Sequence, residues 1–141
     1  MISDAIRAVC KTIGTLYSSY PIYINAVSKS SGEPFFYLDV IPSISDGLNN
    51  RVNIDILFSL TYHTPYHDTN TILGYMDMAV NIQSALENFS LGTEPYRAYD
   101  FEIESDSQDK KYKMTFTVTI SGFRQEQATD LIEEIELDIN I

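Results

Sequence analysis

The stretch that decides the fold is RVNIDILFSLTY, which occupies residues 51–62. Its apolar side chains recur at every second position: Val52, Ile54, Ile56, Phe58, Leu60 and Tyr62. Polar side chains fill the positions between them, and only Leu57 interrupts the alternation. A period of two is typical of a β-strand with one face in a hydrophobic core. A strand of this length reaches about 40 Å, twice the usual value, so we expect it to extend beyond its own sheet or to be covered by a neighbour.

Two β-rich segments precede this strand. Residues 22–27 read IYINAV and are followed by a turn cluster. Residues 35–41 read FFYLDVI and are apolar on both faces except at Asp39. Such a segment is typical of a central strand that the protein itself or a partner covers on both sides. Because proline interrupts a strand, we expect it to end at Pro42, and residues 42–50 to form a polar loop with its turn at Asp46-Gly47.

Two other segments follow the period of a helix. In residues 2–17 the apolar side chains recur at steps of three and four, Ser3 is a candidate N-cap, and Pro21 follows the end of the segment. The second helix is predicted to begin at Asp68 or Thr69 and to end near residues 87–88. Its predicted buried positions are Ile72, Tyr75, Met76, Ala79, Ile82 and Leu86.

The remaining segments predict more strands. Residues 99–104 and 112–121 both alternate between apolar and polar side chains, and a polar stretch joins them, so we expect a hairpin. Residues 135–141 alternate as well, which predicts a terminal strand after a turn or short helix near residues 129–133, although a helical stripe through residues 131–139 also fits the sequence. The order is then α-β-β-β-α-β-β-(β). It indicates an α+β fold in which two helices pack on one face of a mainly antiparallel sheet.

Length and charge limit the possible functions. The chain has 141 residues, which suits a single domain over residues 1–141. Its formal net charge of −11 argues against a groove that wraps duplex nucleic acid, because phosphate binding requires clustered Lys and Arg. Its one cysteine, Cys10, can form neither an internal disulfide nor a multi-thiolate zinc site. The sequence has no apolar run of about 18 residues and no basic signal-peptide start, so we expect a soluble protein of the reducing cytoplasm.

The groups that could carry chemistry all have simpler structural explanations. His63 and His67 stand four residues apart, but Pro65 lies between them and zinc needs three or four converging ligands. Cys10 falls on the apolar face of the first helix, far in sequence from either histidine. The carboxylates of residues 100–109 share one strand and turn, where lysines of the next strand oppose them. Because motifs for phosphate binding or a hydrolase nucleophile are also missing, we predict no enzymatic activity, no cofactor and no metal.

Two features of the composition point to protein interfaces. Ten Tyr and seven Phe exceed the needs of a small core, and several of the Tyr fall at the ends of elements or in loops. Residues 125–141 hold six acidic residues and no Lys or Arg. A terminal strand with an Ile/Leu face and an acidic face either closes its own sheet or adds to the edge of a neighbour's sheet.

The order of these elements resembles the phage tail terminator (tail-completion) family, particularly the small members in Gram-positive prophages and contractile tail-like bacteriocins. The resemblance lies in the N-terminal helix that ends before YPIYINAV, the strand pair EPFFYLDVIPSISDGLNNRVNIDILFSL and the helix TNTILGYMDMAVNIQSALENF. The hairpin around YRAYDFEIESDSQDKKYKMTFTVTISGF and the terminal LIEEIELDINI complete it. It therefore covers nearly the whole chain.

The resemblance implies a structural protein without an active site. Such terminators form a hexameric ring on the head-proximal end of the tail tube, stop the polymerisation of tube and sheath, and present a surface to the neck or capsid connector. The implied partners are further copies of the chain, tail tube and possibly sheath proteins, and neck or connector proteins, with no specific nucleic acid and no membrane. The implied location is the neck end of a virion or tail-like particle that is assembled in the bacterial cytoplasm.

Three groups of residues are candidates for the contacts of such a ring. We expect residues 43–51, with Asp46, Asn49 and Arg51, to contact the tube or the neighbouring subunit. Residues 125–141 would form a tail that exchanges between subunits, with its apolar side at Ile135, Leu137, Ile139 and Ile141. Glu102 and Glu104 are candidates for an acidic lining of the lumen, which would keep DNA from adhering because like charges repel.

Two other interpretations stay open at the level of sequence. A head–tail adaptor or tail-tube subunit also forms rings, and the strand of residues 51–62 could belong to the long hairpin that such proteins carry. A small-ligand-binding or enzymatic α+β domain would instead use a cavity between helices and sheet.

Overall fold

A computed structural model describes residues 2–24, 34–46, 51–64, 69–106 and 111–123. In chain order, the elements are α1 (Ile2–Leu16), β1 (Ile22–Ile24), β2 (Phe35–Asp46), β3 (Arg51–His63), α2 (Thr69–Leu86), β4 (Phe89–Leu91), β5 (Glu94–Tyr96), β6 (Ala98–Asp106) and β7 (Lys111–Phe123). Both predicted helices and the strands over residues 51–62, 99–104 and 112–121 are confirmed. The predicted terminal strand lies outside the described residues.

The alternating strand β3 is the centre of the main sheet. The strand order is β1-β2-β3-β7-β6, in which β1 pairs with β2 in parallel and every other pair is antiparallel. β3 pairs with β2 from Phe35↔His63 to Asp46↔Val52, and with β7 from Arg51↔Phe123 to Thr61↔Lys113. Its length is therefore matched by both neighbours in the same sheet, and β3 does not extend beyond it.

The prediction that the preceding strand ends at Pro42 was wrong, because β2 continues through Pro42 to Asp46. The Phe36 N–H donates to the Pro21 carbonyl on the β1 side of β2, at 2.9 Å. Every second residue of β2 from Phe36 onward, which includes Pro42, directs its backbone N–H and C=O positions to that side. The N–H that proline lacks is therefore not one that β3 would bind, and the β2–β3 ladder continues. Residues 47–50 lie outside the described residues.

Both helices pack on the same face of this sheet, as predicted. The inward side chains of β3 and β7 are buried together with those of α1 and α2 in one hydrophobic cluster. At its centre the rings of Phe58 and Phe116 stack with centroids 5.1 Å apart. One predicted core position was wrong: Met76 is exposed on α2, and Met78 is buried instead. The helix presents Tyr75, Met78, Ala79 and Ile82 to the core, because a stripe about 100° wide contains positions at steps of one as well as three and four.

The β6–β7 hairpin is confirmed, with one irregularity. A β-bulge shifts the register between Tyr99 and Glu102, and Asp100 within it has a φ of 56°. Because a bulge inserts a residue into the alternation, Tyr99 and Phe101 do not share a face with one another as simple alternation predicts. Phe101 packs against the core, whereas Tyr99 hydrogen-bonds to Thr119 on the opposite face.

A second, two-stranded sheet was not predicted. β4 and β5 pair antiparallel directly after α2, from Phe89↔Tyr96 to Leu91↔Glu94. Gly92 occupies their turn with a φ of 61°, a conformation that glycine adopts without steric cost. The sequence does not predict these strands, because strands of three residues are too short to establish an alternation.

Candidate assembly surfaces

The face of the main sheet that points away from the helices has no covering element among the described residues. We call it the open face, and it consists of the outward side chains of β2, β3, β7 and β6. Serine, threonine and other polar residues predominate on it, but Ile41 and Leu57 lie side by side at its centre. These two side chains are 58% and 42% exposed. Leu57 interrupts the sequence alternation because it lies on this face, where Ile41 is its cross-strand neighbour.

A hydrogen-bond network fixes one half of the open face. The Thr119 hydroxyl donates to Asp55 Oδ1 at 2.7 Å, and the Tyr99 hydroxyl therefore donates to Thr119 Oγ1. The Ser121 hydroxyl donates to Asn53 Oδ1 at 3.0 Å. These contacts join β6, β7 and β3 through side chains in addition to the backbone ladder, so this surface is held in a single arrangement.

An aromatic cluster lies at the opposite side of the open face, next to β1. Phe35 stacks on His63 with ring centroids 4.7 Å apart, and Tyr23 meets Phe35 edge-on at 5.4 Å. Tyr37 approaches His63 edge-on at 6.4 Å. Partial burial lowers the pKa of the His63 imidazole, because the charged form loses water. His63 thus packs in the cluster, while His67 lies outside the described residues.

The structure brings two residues of the predicted 43–51 contact segment to the same end of the sheet. Asp46 is the last residue of β2 and Arg51 is the first of β3, and both are exposed. Most of the segment is strand rather than loop, since Ser43, Ile44 and Ser45 belong to β2. Asn49 lies outside the described residues.

Glu102 and Glu104 are exposed on β6, the strand at one edge of the sheet. In register, Glu102 lies opposite Thr115 and Glu104 lies opposite Lys113. Both glutamates therefore belong to the open face, and the predicted pairing of this acidic strand with lysines of the next strand is present for Glu104. The tail residues Ile135, Leu137, Ile139 and Ile141 lie outside the described residues.

The sequence reasoning missed an apolar stripe on α2. Leu73, Met76 and Val80 are 57%, 47% and 57% exposed and follow one another at steps of three and four, so they lie on one side of the helix. We call these three residues the α2 stripe. The sequence shows that α2 has more apolar residues than one buried face can hold, but it does not show which of them are exposed.

The comparison with known families decides the identity of the chain. The model of the phage tail terminator protein family matches residues 4–130, about nine-tenths of the sequence. The chain belongs to the phage tail terminator family. A search of curated proteins found no match. The family match ends before residue 131, so it does not include the predicted terminal strand.

Membership of this family makes the terminator a structural protein of the phage tail, located in the virion or tail and in contact with other tail proteins. The surfaces described above are therefore candidates for protein contacts.

Two shallow clefts lie beside the β4–β5 hairpin and share Pro95, Tyr96 and Thr119. Within the described part of the terminator, His, Cys, Asp and Glu form no group of three or more that could hold a metal ion. None of its described helices is long and apolar enough to cross a membrane.

The single cysteine of the terminator should react slowly. Burial on α1 raises the pKa of the Cys10 thiol from 9.0 to about 11. The thiolate fraction at pH 8 then falls about 100-fold, and the higher nucleophilicity of a more basic thiolate recovers only about tenfold. We expect iodoacetamide to alkylate the folded chain at pH 8 at least about tenfold more slowly than the chain in urea, as measured by mass spectrometry. Glutathione in both buffers corrects for the solvent, and equal corrected rates would contradict the burial of Cys10.

Proposed function

We propose that this terminator caps the head-proximal end of a phage tail, or of a phage-tail-like tube, as a closed hexameric ring. The ring ends the polymerisation of the tube, and of the sheath where one is present, and joins the tail to the neck. The family match over residues 4–130 is the observation that carries the proposal. The number six is the one that the resemblance to tail terminators implies, and the chain assembles in the bacterial cytoplasm before the particle is complete.

Two features of the sheet support the proposal that this chain ends the polymerisation of the tail tube. An exposed sheet edge is a template for adding further strands, and proteins block such edges with proline, charges and bulges. The β2 edge contains Pro42, whereas β6 contains the bulge at Asp100 and the exposed Glu102 and Glu104. Because these features disfavour strand pairing between copies, we expect copies to contact one another through their side chains. Because a ring requires two different patches on each copy, the α2 stripe and the apolar centre of the open face, which point in opposite directions, suit heterologous contacts.

The β2–β3 hairpin argues against a tail-tube subunit. A hairpin that lines a tube protrudes from its domain, but β3 is paired with β7 as far as Arg51. Val52 and Ile54, close to the tip, are fully buried. The strands β2 and β3 are therefore part of the packed sheet up to Asp46 and from Arg51, and in our proposal residues 43–51 contact the tube or the neighbouring subunit at this end of the sheet.

Removal of the gene from tail-producing cells tests the proposed function. We expect tubes of uncontrolled length and heads that do not join to tails, and we expect a plasmid copy to restore both. Electron microscopy of negatively stained particles gives the length distribution. Tubes of normal length that attach to heads would contradict a terminating role.

We further propose that Glu102 and Glu104 line the lumen of the ring. Replacement of both by Lys adds four positive charge units to each copy, and a cationic lining attracts DNA phosphates. We therefore expect particles that assemble at normal length but eject their DNA more slowly, with a defect that shrinks as salt screens the attraction. A dye-accessibility assay of ejected DNA measures the rate.

The matched control for this change is the double variant Glu87→Lys and Glu94→Lys. It makes the same change of charge at exposed positions outside the open face. Particles with the control variant should eject DNA at the original rate. Identical ejection by both variants would count against a lumen position for Glu102 and Glu104.

A further inference from the structure

The part of β7 that extends past β6 has no strand beside it among the described residues. The β6–β7 pairing begins at Ala98↔Val118, whereas β7 continues to Phe123 and stays paired with β3 as far as Arg51↔Phe123. On the β6 side, residues 119–123 therefore present backbone N–H and C=O groups with no pairing strand in the described chain. We call residues 119–123 the unpaired β7 edge.

The unpaired β7 edge lacks the features that protect other edges of this sheet. Its sequence is TISGF, which contains neither proline nor a charged residue. By contrast, the β2 edge contains Pro42, and β6 has the bulge and two exposed glutamates. An unprotected edge is a template for another strand, and proteins block or cover such edges. This edge is not blocked by its own residues, which favours a further strand that covers it.

Open space borders the edge, so a strand has room to bind there. Both clefts beside the β4–β5 hairpin include Thr119, and the second also includes Ile120 and Ser121. Pro95 and Tyr96 of β5 line the same clefts. The clefts therefore lie between the hairpin and the unpaired β7 edge. An extended segment that enters them can form the backbone hydrogen bonds of β-strand addition.

The two sides of the edge differ in polarity. Ile120 is 9% exposed and packs in the hydrophobic cluster with the helices, whereas the Ser121 hydroxyl on the open face donates to Asn53 Oδ1. A strand that pairs here therefore needs apolar and polar residues in alternation. Beyond β7, residues 135–141 read IELDINI and alternate strictly, whereas residues 124–134 do not. The sequence of residues 135–141 thus suits this position.

The length of the chain allows this segment to reach the edge of its own copy. Phe123 is the last residue of the edge, and the far end at Thr119 lies about 13 Å away along the strand. Twelve residue steps from Phe123 to Ile135 reach about 40 Å when extended and about 18 Å when helical. Either conformation is long enough. A short tether also raises the effective concentration of the segment to about the millimolar range, which favours its own edge over that of another copy.

Charge has little influence on this contact. Residues 135–141 hold two acidic residues, Glu136 and Asp138. The clefts are lined by Asp4 and Glu94 but also by Arg97. Salt screens the interactions of such exposed charges, whereas strand pairing depends on the backbone. The unpaired backbone groups of β7 are therefore the main attraction.

We propose that residues 135–141 pair with the unpaired β7 edge of their own chain, in the clefts beside the β4–β5 hairpin. This contact goes beyond the proposed function and does not depend on ring formation. It covers a sheet edge that would otherwise accept strands of other proteins, in agreement with contacts between copies that use side chains. An exchange of the segment between subunits would place it on the same edge of a neighbour, and the experiment below separates the two arrangements.

Disulfide trapping in the purified full chain tests the contact. Ser121→Cys, in a chain with Cys10→Ala, is combined with a cysteine at each position of residues 135–141 in turn. Because Ser121 lies on the open face, we expect mild oxidation to link it to residue 136, 138 or 140, within a single chain by intact mass. The matched control is Ser45→Cys, an exposed serine in the same cross-strand row, Ser45↔Asn53↔Ser121, but at the β2 edge. It should link at a background level.

Hydrogen exchange provides a second measurement without a cysteine. Consecutive strand residues direct their N–H groups to opposite sides, so Leu137→Pro with Asp138→Pro removes one N–H from the β7 side in any register. We expect the amides of residues 119–123 to exchange about fivefold or more faster in this variant, and those of residues 113–117 to be unchanged. Gln127→Pro with Ala128→Pro is the matched control and should leave the exchange of residues 119–123 as it was.

Each outcome bears on the proposal. A link within one chain that is specific to Ser121→Cys, together with faster exchange in the 137–138 variant only, supports it. A specific link that forms only between chains shows that the segment binds the edge of a neighbour and overturns the proposal. Links to Ser45→Cys in place of Ser121→Cys, or no specific link with unchanged exchange, also overturn it. None of these results alters the proposed function, which the tail-length assay tests separately.

Discussion

Phe58→Ala should lower the free energy of unfolding by about 3–5 kcal/mol. Phe58 is fully buried in the central strand, where its ring stacks on Phe116 with centroids 5.1 Å apart. Truncation removes most of the buried side chain and leaves a cavity that the long paired strands on both sides cannot close. Urea denaturation followed by far-ultraviolet circular dichroism measures the change.

The adjacent residue provides the control. Leu57 belongs to the same strand but is 42% exposed on the open face, so Leu57→Ala should cost less than about 1 kcal/mol. The ratio between the two changes tests the register of β3, because a slip by one residue exchanges the two faces. Equal losses, or a larger loss for Leu57→Ala, would contradict the described sheet.

Arg51→Glu should abolish capping of the tail and leave the fold intact. Arg51 is exposed at the end of β3, in the segment that we propose as a contact with the tube or the next subunit. A reversed charge within a desolvated interface costs about 2–5 kcal/mol, or about 30-fold or more in affinity at each contact. In a ring this loss recurs at every copy. We expect cells with the variant to produce the same overlong tubes as cells without the gene.

The matched control is Arg97→Glu. Arg97 is also exposed, in the connection between β5 and β6, and its reversal changes the net charge by the same amount. Tails of normal length with Arg97→Glu, together with unchanged thermal unfolding of both purified variants, would assign the defect to the position of Arg51. Normal tails with Arg51→Glu would show that residues 43–51 are not an essential contact.

The sequence predicts the architecture wherever the pattern is long. Twelve residues of alternation fix β3, and ten residues fix β7, because a strand with one buried face must place every second side chain in the core. Both helices follow from apolar steps of three and four. The single exception in β3, Leu57, becomes intelligible only from the structure, which places Ile41 beside it on the open face.

The sequence predictions were wrong where a tertiary contact outweighs the local preference of a residue. Pro42 is tolerated within β2 because its missing N–H faces away from β3, which depends on pairing parity and not on residue type. The bulge at Asp100 changes which side chains of β6 lie on each face of the sheet, and no glycine in the sequence indicates a bulge at this position. On α2, the choice of Met78 over Met76 for the core depends on how the helix is rotated about its axis, and a helix with apolar residues on two sides does not determine that rotation.

The candidate contacts were only partly accessible from the sequence. Charged residues next to a predicted turn, such as Asp46 and Arg51, can be named from the sequence, and the structure brings them to one end of the sheet. The exposure of the α2 stripe could not be established in this way, because it depends on which side of the helix the core occupies. The family match adds the identity and ends before the terminal residues.

The central claim is that this chain acts at the head-proximal end of the tail through protein contacts. Immunogold electron microscopy of purified tails, with an antibody raised against the full chain, tests it most directly. We predict gold at one end of each tail only, the end opposite the baseplate. Gold along the tube, gold at the baseplate, or tails without gold that have normal length and join to heads would contradict the claim.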